Sequence, residues 1–167
     1  MIRENNYWDS MGSFYITTGR KPSQNTRRLA KWLAILLGGE SENRGHRSFD
    51  EMAGRASSKG LRRIVFVYES HGNPSRIAVW EDEWLEPEIV LQSVEFPEKE
   101  AHRLSGEFKV VAEDAAGEKI RELFELEEPE GQPVEVHAGA KEIWFEFDGK
   151  RVGPTLALKA LEKNAQH

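Results

Sequence analysis

Short runs of β-branched and aromatic residues alternate along this chain with segments whose apolar residues recur at helical spacing. Phe14–Thr18 is one such run, and Leu29, Trp32, Leu33 and Leu36 then follow at intervals of three or four residues. A strand repeats every two residues and a helix about every 3.6 residues, so both kinds of element are expected. The patterning therefore predicts a mixed α/β fold.

The first half is predicted to contain its elements in the order β-α-α-β-β. Ser48 and Glu51 form a Ser-x-x-Glu capping box, which predicts the start of a second helix after a polar loop at residues 40–47. The predicted strands cover residues 14–18, 63–68 and 76–80, and the predicted helices cover residues 23–37 and 48–60.

The second half is again mixed α/β. An acidic, proline-terminated segment at residues 81–87 predicts a junction between a lobe at about 13–80 and a lobe at about 88–163. Asp148-Gly149 is a two-residue hairpin signal. Strands are predicted at residues 89–96, 107–112, 134–136, 143–147 and 155–161, and a helix at 114–127. Similar lengths and element types suggest two pseudo-duplicated lobes, each a mixed sheet with helices.

Composition excludes several classes of protein. The 167 residues include 5 Trp, 8 Phe and 3 Tyr, too many aromatic residues for an ordinary disordered chain. The chain has no cysteine, which excludes disulfides, thiolate zinc sites and thiol nucleophiles. No apolar run reaches the ~18 residues of a membrane-spanning helix, and the N-terminus lacks a signal-peptide pattern. We therefore expect a cytoplasmic protein without membrane contact.

The tryptophans fall into two groups. Trp32, Trp80 and Trp144 lie in apolar patterns and are predicted core residues. Trp8 and Trp84 lie in polar contexts and are candidates for partner contact or base stacking, although Trp84 could equally pack at the junction.

Charge is distributed unevenly along the chain, whose net charge is −6. Residues 1–80 contain 13 Lys and Arg against 7 Asp and Glu, a net of +6, whereas residues 81–167 contain 10 against 22, a net of −12. This asymmetry predicts a basic working face on an acidic body. The alternative is a pair of solvated surfaces with no binding role.

Cationic residues cluster at the start of the first helix, where helices usually carry acidic residues. Arg20 and Lys21 precede this start, Ser23 is its predicted cap, and the first turn contains no acidic residue. Backbone N–H groups and guanidinium groups that converge there predict an anion site, with phosphate as its occupant. A basic face paired with acidic residues of the second half is the alternative.

Two further loops are rich in donors, at residues 43–47 and 71–76. If the strands that carry them are neighbours, all these segments lie on one side of the first lobe. The candidate phosphate-contacting residues are Arg20, Lys21, Ser23, Arg27, Arg28, Lys31, Arg44, Arg47 and Arg76. Pro22, Gly45, Gly72, Asn73 and Pro74 are predicted to shape the loops.

Enzymatic chemistry has little support in the sequence. The histidines, at positions 46, 71, 102, 137 and 167, have no partner at the spacing of zinc ligands, so no metal site is predicted. Phosphate-loop, nucleophile-elbow and dinucleotide motifs do not occur. We therefore predict neither a catalytic residue nor a cofactor.

Three motifs occur in order within residues 13–80. They are residues 16–27 (ITTGRKPSQNTR), residues 43–45 (NRG) and residues 68–74 (YESHGNP), with a weaker echo at residues 152–154 (VGP). Together they resemble the Brix domain family of ribosome-biogenesis proteins, in its archaeal, single-domain form.

The resemblance implies a two-lobed α/β fold in which each lobe is similar to the anticodon-binding domain of class II aminoacyl-tRNA synthetases. It implies a non-catalytic protein that binds ribosomal RNA or its precursor and assists rRNA processing and ribosomal subunit assembly. The candidate residues above would then bind RNA, and the acidic second lobe would contact other assembly or ribosomal proteins. Two alternatives stay open, a protein-interaction module whose basic lobe docks acidic partners and a metal-dependent nuclease that uses the acidic half.

Overall fold

One continuous mixed sheet organises the computed structural model, which describes residues 13–163. No helix in this part of the chain is long and apolar enough to span a membrane. The helices are α1 (Gln24–Leu36), α2 (Phe49–Ser58) and α3 (Ala115–Phe124). The strands are β1 (Phe14–Thr18), β2 (Glu40–Ser41), β3 (Arg63–Ser70), β4 (Asn73–Glu81), β5 (Glu83–Trp84), β6 (Glu88–Glu95), β7 (Phe108–Ala112), β8 (Val134–Ala138), β9 (Glu142–Phe147), β10 (Lys150–Arg151) and β11 (Thr155–Glu162).

The two halves of the sheet repeat one order of strand pairing. The order across the sheet is β2-β1-β3-β4-β6-β11-β9-β8-β7, with β5 beside β4 and β10 beside β9. In the first half β1 and β3 are parallel, β3 and β4 antiparallel, and β4 and β6 antiparallel. In the second half β7 and β8 are parallel, β8 and β9 antiparallel, and β9 and β11 antiparallel. The halves meet where β6 pairs with β11.

This architecture confirms the predicted mixed α/β class. The division into two lobes at residues 81–87, and the likeness of each lobe to a synthetase anticodon-binding domain, stay predictions. Within the sheet, the segment 81–87 contributes β5, which folds back onto β4 through the register pair Trp80 and Trp84.

Helices cover the sheet on both faces in the first half. Ile16 and Val67 pack in one core with Leu29 of α1, whereas Tyr15 and Phe66 pack in a second core with Met52 of α2. Neighbouring strand residues point to opposite faces, so β1 and β3 supply both cores, and α2 covers what we call the outer face. The second half has no counterpart of α2, because its chain passes from α3 directly to β8.

Most helices and strands lie where local sequence patterns predict them. Ser48 and Glu51 form the predicted capping box at the start of α2, and Asp148 and Gly149, with φ of 55° and 77°, form the predicted hairpin turn. Residues 40–41, predicted as loop, form β2 because they pair in parallel with β1.

Two predictions in the second half are wrong. The helix predicted at residues 114–127 ends at Phe124, because Glu125 leaves helical geometry and turns back to the sheet. Trp144 is not a core residue, because Ile143 and Phe145 take the buried positions of β9 and alternation places Trp144 on the outer face.

The free edge of β7 is covered by side chains from α3 and its C-terminal cap. Glu125 accepts a hydrogen bond from the Val110 N–H at 2.8 Å. Arg121 donates to the Val110 carbonyl through Nε and Nη2, at 3.3 and 3.1 Å. Both main-chain groups of Val110 are therefore satisfied at the outermost strand of the sheet.

Candidate nucleic-acid interface

Strand pairing brings the predicted loops together at one end of the sheet. β1 is parallel both to β2 and to β3, so the loops after their carboxyl ends lie side by side. These loops are residues 19–23, 42–47 and 71–72. The prediction that these loops lie on one side of the first lobe required neighbouring strands, and the strand pairing confirms that condition. We call this surface the basic edge, defined by Arg20, Lys21, Arg27, Lys31, Arg44 and Arg47.

The start of α1 is capped as predicted but is not free of acidic groups. The Ser23 hydroxyl accepts from the Thr26 N–H at 3.2 Å. The Ser23 N–H donates to the Glu69 carboxylate, from β3, at 2.7 Å. This main-chain hydrogen bond holds the pKa of Glu69 below its usual value. A carboxylate distant in sequence therefore already meets part of the positive potential at this helix start.

The second loop is held in place by Glu42. Arg55 of α2 donates to its two carboxylate oxygens at 2.7 and 2.8 Å, and the Tyr15 hydroxyl donates to the same group. The Arg55 guanidinium lowers the pKa of Glu42 to about 2, and burial raises the pKa of Tyr15 to about 12. Thr17 also donates to the Glu42 carbonyl at 2.9 Å. These bonds fix where residues 43–47 leave the sheet.

Three arginines of the basic edge hydrogen-bond to backbone carbonyls, while Glu69 lies near Arg27 and Glu51 lies near Arg20 and Arg47. Arg27 donates to the Pro22 carbonyl at 3.0 Å, Arg44 to the Arg47 carbonyl at 3.0 Å, and Arg47 to the Asn43 carbonyl at 2.9 Å. A guanidinium has five N–H donors, so each keeps donors for a ligand. Ion pairs with carboxylates occupy a different set of arginines, Arg55, Arg62, Arg63, Arg76 and Arg121.

Two predicted contact residues outside the basic edge also have internal partners. Arg28 donates to the Pro97 carbonyl at 2.9 Å and lies over the Phe96 ring at 4.4 Å, so it anchors the segment after β6. Arg76 pairs with the buried Glu88 and with Glu162, each at 3.1 Å. Phosphate binding by Arg76 stays a prediction, and its charge is already paired with these two carboxylates.

Backbone conformation explains part of the loop-shaping set. Gly45 and Gly72 have φ of 60° and 79°, which glycine adopts readily. The turn predicted at residues 71–74 is shorter, because only His71 and Gly72 form it and Asn73 and Pro74 belong to β4. Pro74 lies beside a register shift between β3 and β4, a position that tolerates the missing N–H.

The two tryptophans considered for partner contact have different outcomes. Trp84 packs against Phe49 and Phe66, with ring centroids 5.5 and 5.4 Å apart, so it belongs to the packing of the outer face. Trp8 lies outside the described residues.

Sequence reasoning missed the two carboxylates that organise the site. Glu42 meets Arg55 across 13 positions of the chain, and Glu69 meets Ser23 across 46. Neither lies in a local pattern that indicates a partner, so only the sheet pairing reveals them.

The fold and this surface define a class: a mixed α/β protein that presents cationic loops at the carboxyl ends of its parallel strands. Comparison with known proteins gives the family. No family model matches the chain. A stretch of 112 residues, 67% of this chain, is 30% identical to a probable Brix domain-containing ribosomal biogenesis protein of Methanothermobacter thermautotrophicus and covers 70% of it. The chain therefore belongs to the Brix domain family.

Two other relatives carry the same name. The identity is 41% over 66 residues for the protein of Aeropyrum pernix and 36% over 81 residues for that of Archaeoglobus fulgidus, or 39% and 47% of this chain. These stretches span only 37% and 50% of the two relatives.

Solved structures support the fold along nearly the whole chain. A probable ribosomal biogenesis protein of Aeropyrum pernix has a TM-score of 0.73 and 27% identity, with 93% of this chain and 98% of that chain covered. Mil, an archaeal Imp4-like protein, has a TM-score of 0.70 and 24% identity, with coverage of 90% and 99%.

Proposed function

We propose that this protein is a non-catalytic ribosome biogenesis factor that binds ribosomal RNA or its precursor through the basic edge and assists rRNA processing and subunit assembly. The observation that carries the proposal is the set of guanidinium groups held by backbone carbonyls, because each keeps further N–H donors for phosphate. Membership of the Brix domain family, whose relatives are named for ribosomal biogenesis, supports the same role.

The residues proposed to contact RNA differ in how exposed they are and in what holds their side chains. Arg20, Lys21, Arg27 and Lys31 are exposed, and they supply charge and donors along the start of α1. Arg44 and Arg47 are half-buried and hold a fixed geometry at the neighbouring loop, which suits shape recognition of a folded RNA. Ser23 keeps its capping role, Arg28 holds the segment after β6, and Arg76 pairs with Glu88 and Glu162.

The two halves are proposed to have different partners. Residues 81–167 carry a net charge of −12, so phosphate is repelled there and a protein partner in the assembling subunit is favoured. The repeated order of strand pairing supports an origin of the halves by duplication, with a junction at about residues 81–87.

Binding to RNA tests the proposal. The purified chain is titrated with homologous rRNA fragments, and with tRNA as a control, at two salt concentrations. We expect tight binding that is selective for some fragments and weakens with salt. In the variant R20Q/K21Q/R27Q/K31Q the affinity should fall by orders of magnitude, with a salt slope smaller by about 0.7 to 0.9 for each phosphate that the variant no longer neutralises.

A matched variant controls for net charge. K99Q/K119Q/K141Q/K159Q removes four exposed charges from the second half and should bind within a few-fold of the wild type. Unchanged affinity in the basic-edge variant, or an equal loss in the control, would contradict the assignment. Weak binding of the wild type to every RNA would favour the alternative, a module that docks acidic protein surfaces.

The non-catalytic part of the proposal has its own test. Bound rRNA fragments are incubated with the protein and Mg²⁺ or Mn²⁺, and their length is followed by gel electrophoresis. Intact RNA is expected, whereas cleavage that depends on the protein would support the nuclease alternative.

A further inference from the structure

The outer face of the second half brings together a histidine and carboxylates that the proposed function does not use. Glu135 and His137 alternate along β8, and Trp144 and Glu146 alternate along β9 on the same face. The register pairs Glu135 with Glu146 and His137 with Trp144. The spacing between histidines predicts no metal site. It gives no signal here, because this set contains one histidine and its other members come from two strands.

Two distances within this set match those of a tetrahedral metal centre. The His137 Nε2 atom lies 3.3 Å from Glu135 Oε1 and 3.4 Å from Glu146 Oε1. One ligand atom from each of the three residues lies within 4.8 Å of the others. Ligands bound tetrahedrally at about 2.0 to 2.1 Å stand about 3.3 to 3.4 Å apart. We propose that Glu135, His137 and Glu146 bind a divalent transition-metal ion, with zinc as the best fit.

The imidazole is already oriented for this role. Its ring stacks on Trp144 with centroids 3.9 Å apart and planes 4° apart, and its side chain is 13% exposed. The buried Nδ1 atom has no hydrogen-bond partner and lies 3.5 Å from Glu113 Oε1. Metal-bound histidines usually direct their other nitrogen to a carboxylate, so Glu113 serves as the positioning residue.

Electrostatics also favours a cation. Glu135 and Glu146 are direct cross-strand neighbours, and like charges in this arrangement destabilise a sheet. Lys109, the register partner of Glu135 on β7, and Arg151, the register partner of Glu146 on β10, supply two positive charges against three carboxylates. A divalent ion bound by the carboxylates and the imidazole would offset the remaining negative charge.

The site is accessible from solvent. The side chains of Glu135 and Glu146 are 39% and 28% exposed, so an ion can enter along them. Three protein ligands leave a fourth tetrahedral position for water or for a donor from another molecule. Nitrogen and carboxylate oxygen ligands of this kind suit zinc and its neighbours rather than calcium or magnesium.

Metal titration tests this site independently of RNA binding. Untagged full-length protein, treated with a chelator and dialysed, is titrated with ZnCl₂ by calorimetry. Co²⁺ is added in parallel, because its absorption reports coordination geometry. We expect one ion per chain, micromolar or tighter affinity at neutral pH, and a tetrahedral Co²⁺ spectrum. Absence of saturable binding at one ion per chain would overturn the proposal.

Variants separate this site from adventitious surface binding. H137Q and E146Q should weaken zinc binding at least tenfold, and E113Q by about tenfold through loss of orientation. E142Q, on the same face of β9, and H102N, an exposed histidine elsewhere, should stay within twofold of the wild type. Wild-type affinity in H137Q and E146Q would refute the assignment. Because Gln replaces Glu without a change of shape, E146Q stays informative even if H137Q folds poorly, and circular dichroism checks both.

Discussion

The helices α1 and α3 occupy equivalent places in the two halves, yet they begin in opposite electrostatic surroundings. α1 starts at Ser23 beside Arg20 and Lys21, and its nearest carboxylate comes from another strand. α3 starts at Asp114, which accepts from the Gly117 N–H at 2.9 Å and from the Ala140 N–H at 3.0 Å. The start of α3 is therefore capped by a carboxylate of its own, whereas the start of α1 is capped by a hydroxyl and lies beside cationic residues.

The same helices also differ in how closely they approach the sheet. Three residues after its cap, α3 has Gly117, where a Cβ atom would lie 2.1 Å from the Ala138 carbonyl oxygen. The corresponding residue of α1 is Thr26, which is buried and bonds to the Ser23 hydroxyl at 3.0 Å. The same arrangement of strands and helix thus allows a close helix–sheet contact in the second half and a hydrogen-bonded cap in the first.

Among the variants that test this comparison, Gly117→Ala should lower the free energy of unfolding most. The added methyl group meets backbone at 2.1 Å, so α3 must move away from β8, at a cost of about 3 kcal/mol in the free energy of unfolding. Gly54→Ala is the control, because a Cβ atom at this position of α2 meets nothing within 4 Å and should stabilise by up to about 1 kcal/mol. Urea unfolding measures both variants, and equal stabilities would show that the close approach has no energetic consequence.

Removal of the two caps should come next. Asp114→Ala breaks two charge-assisted hydrogen bonds to main-chain N–H groups and should lower stability more than Ser23→Ala, which should cost about 1 kcal/mol. Thermal unfolding of the two single variants compares them directly. A larger loss of stability for Ser23→Ala would contradict the conclusion that Asp114 caps α3 more strongly than Ser23 caps α1.

Lowering the pH should weaken the ion pair between Arg55 of α2 and Glu42, which holds the loop at residues 43–47 of the basic edge. Arg55 lowers the pKa of Glu42 from 4.5 to about 2, so the carboxylate stabilises the fold fully above about pH 4.5 and loses this effect as the pH falls toward 2. After allowance for solvent screening we expect about 1 to 2 kcal/mol. The stability difference between wild type and Glu42→Gln, from urea unfolding, should shrink between pH 5 and pH 3. A constant difference would contradict the ion-pair explanation.

The smallest expected effect concerns the carboxylate at the start of α1. Glu69→Gln keeps an oxygen that accepts from the Ser23 N–H but removes a negative charge beside Arg27. RNA affinity should rise a few-fold at low salt, while the stability changes by less than about 1 kcal/mol. Glu127→Gln, an exposed change in the second half, should leave RNA affinity unaltered. Weaker RNA binding by Glu69→Gln would show that Glu69 orients the site rather than opposing it.

The fold was largely predictable wherever a residue's role is local. The capping box of α2, the apolar stripe of α1 and the Asp148-Gly149 turn depend on neighbours within a few positions, and the structure confirms each. β2 could not be predicted, because Glu40 and Ser41 are exposed and become a strand only through pairing with β1.

The candidate site was predictable in outline and not in its partners. The prediction that loops share one side depended only on adjacent parallel strands, which the pairing confirms. Which arginines stay available depended on carboxylates distant in sequence, as with Arg76 and Glu88. The prediction that Trp144 is a core residue failed for a related reason, because alternation sets a residue's face only once the buried partners, such as Ile143 and Phe145, are known.

The side chains that bond to Val110 have a consequence for the protein at high concentration. An unpaired outer strand is a template on which another polypeptide can add, and this is a common route to aggregation. At β7 an incoming strand would have to displace both Glu125 and Arg121 from Val110. At the opposite end β2 offers only 2 residues. Within residues 13–163, neither end of the sheet provides a long free template, so addition of further copies at the sheet edges is disfavoured.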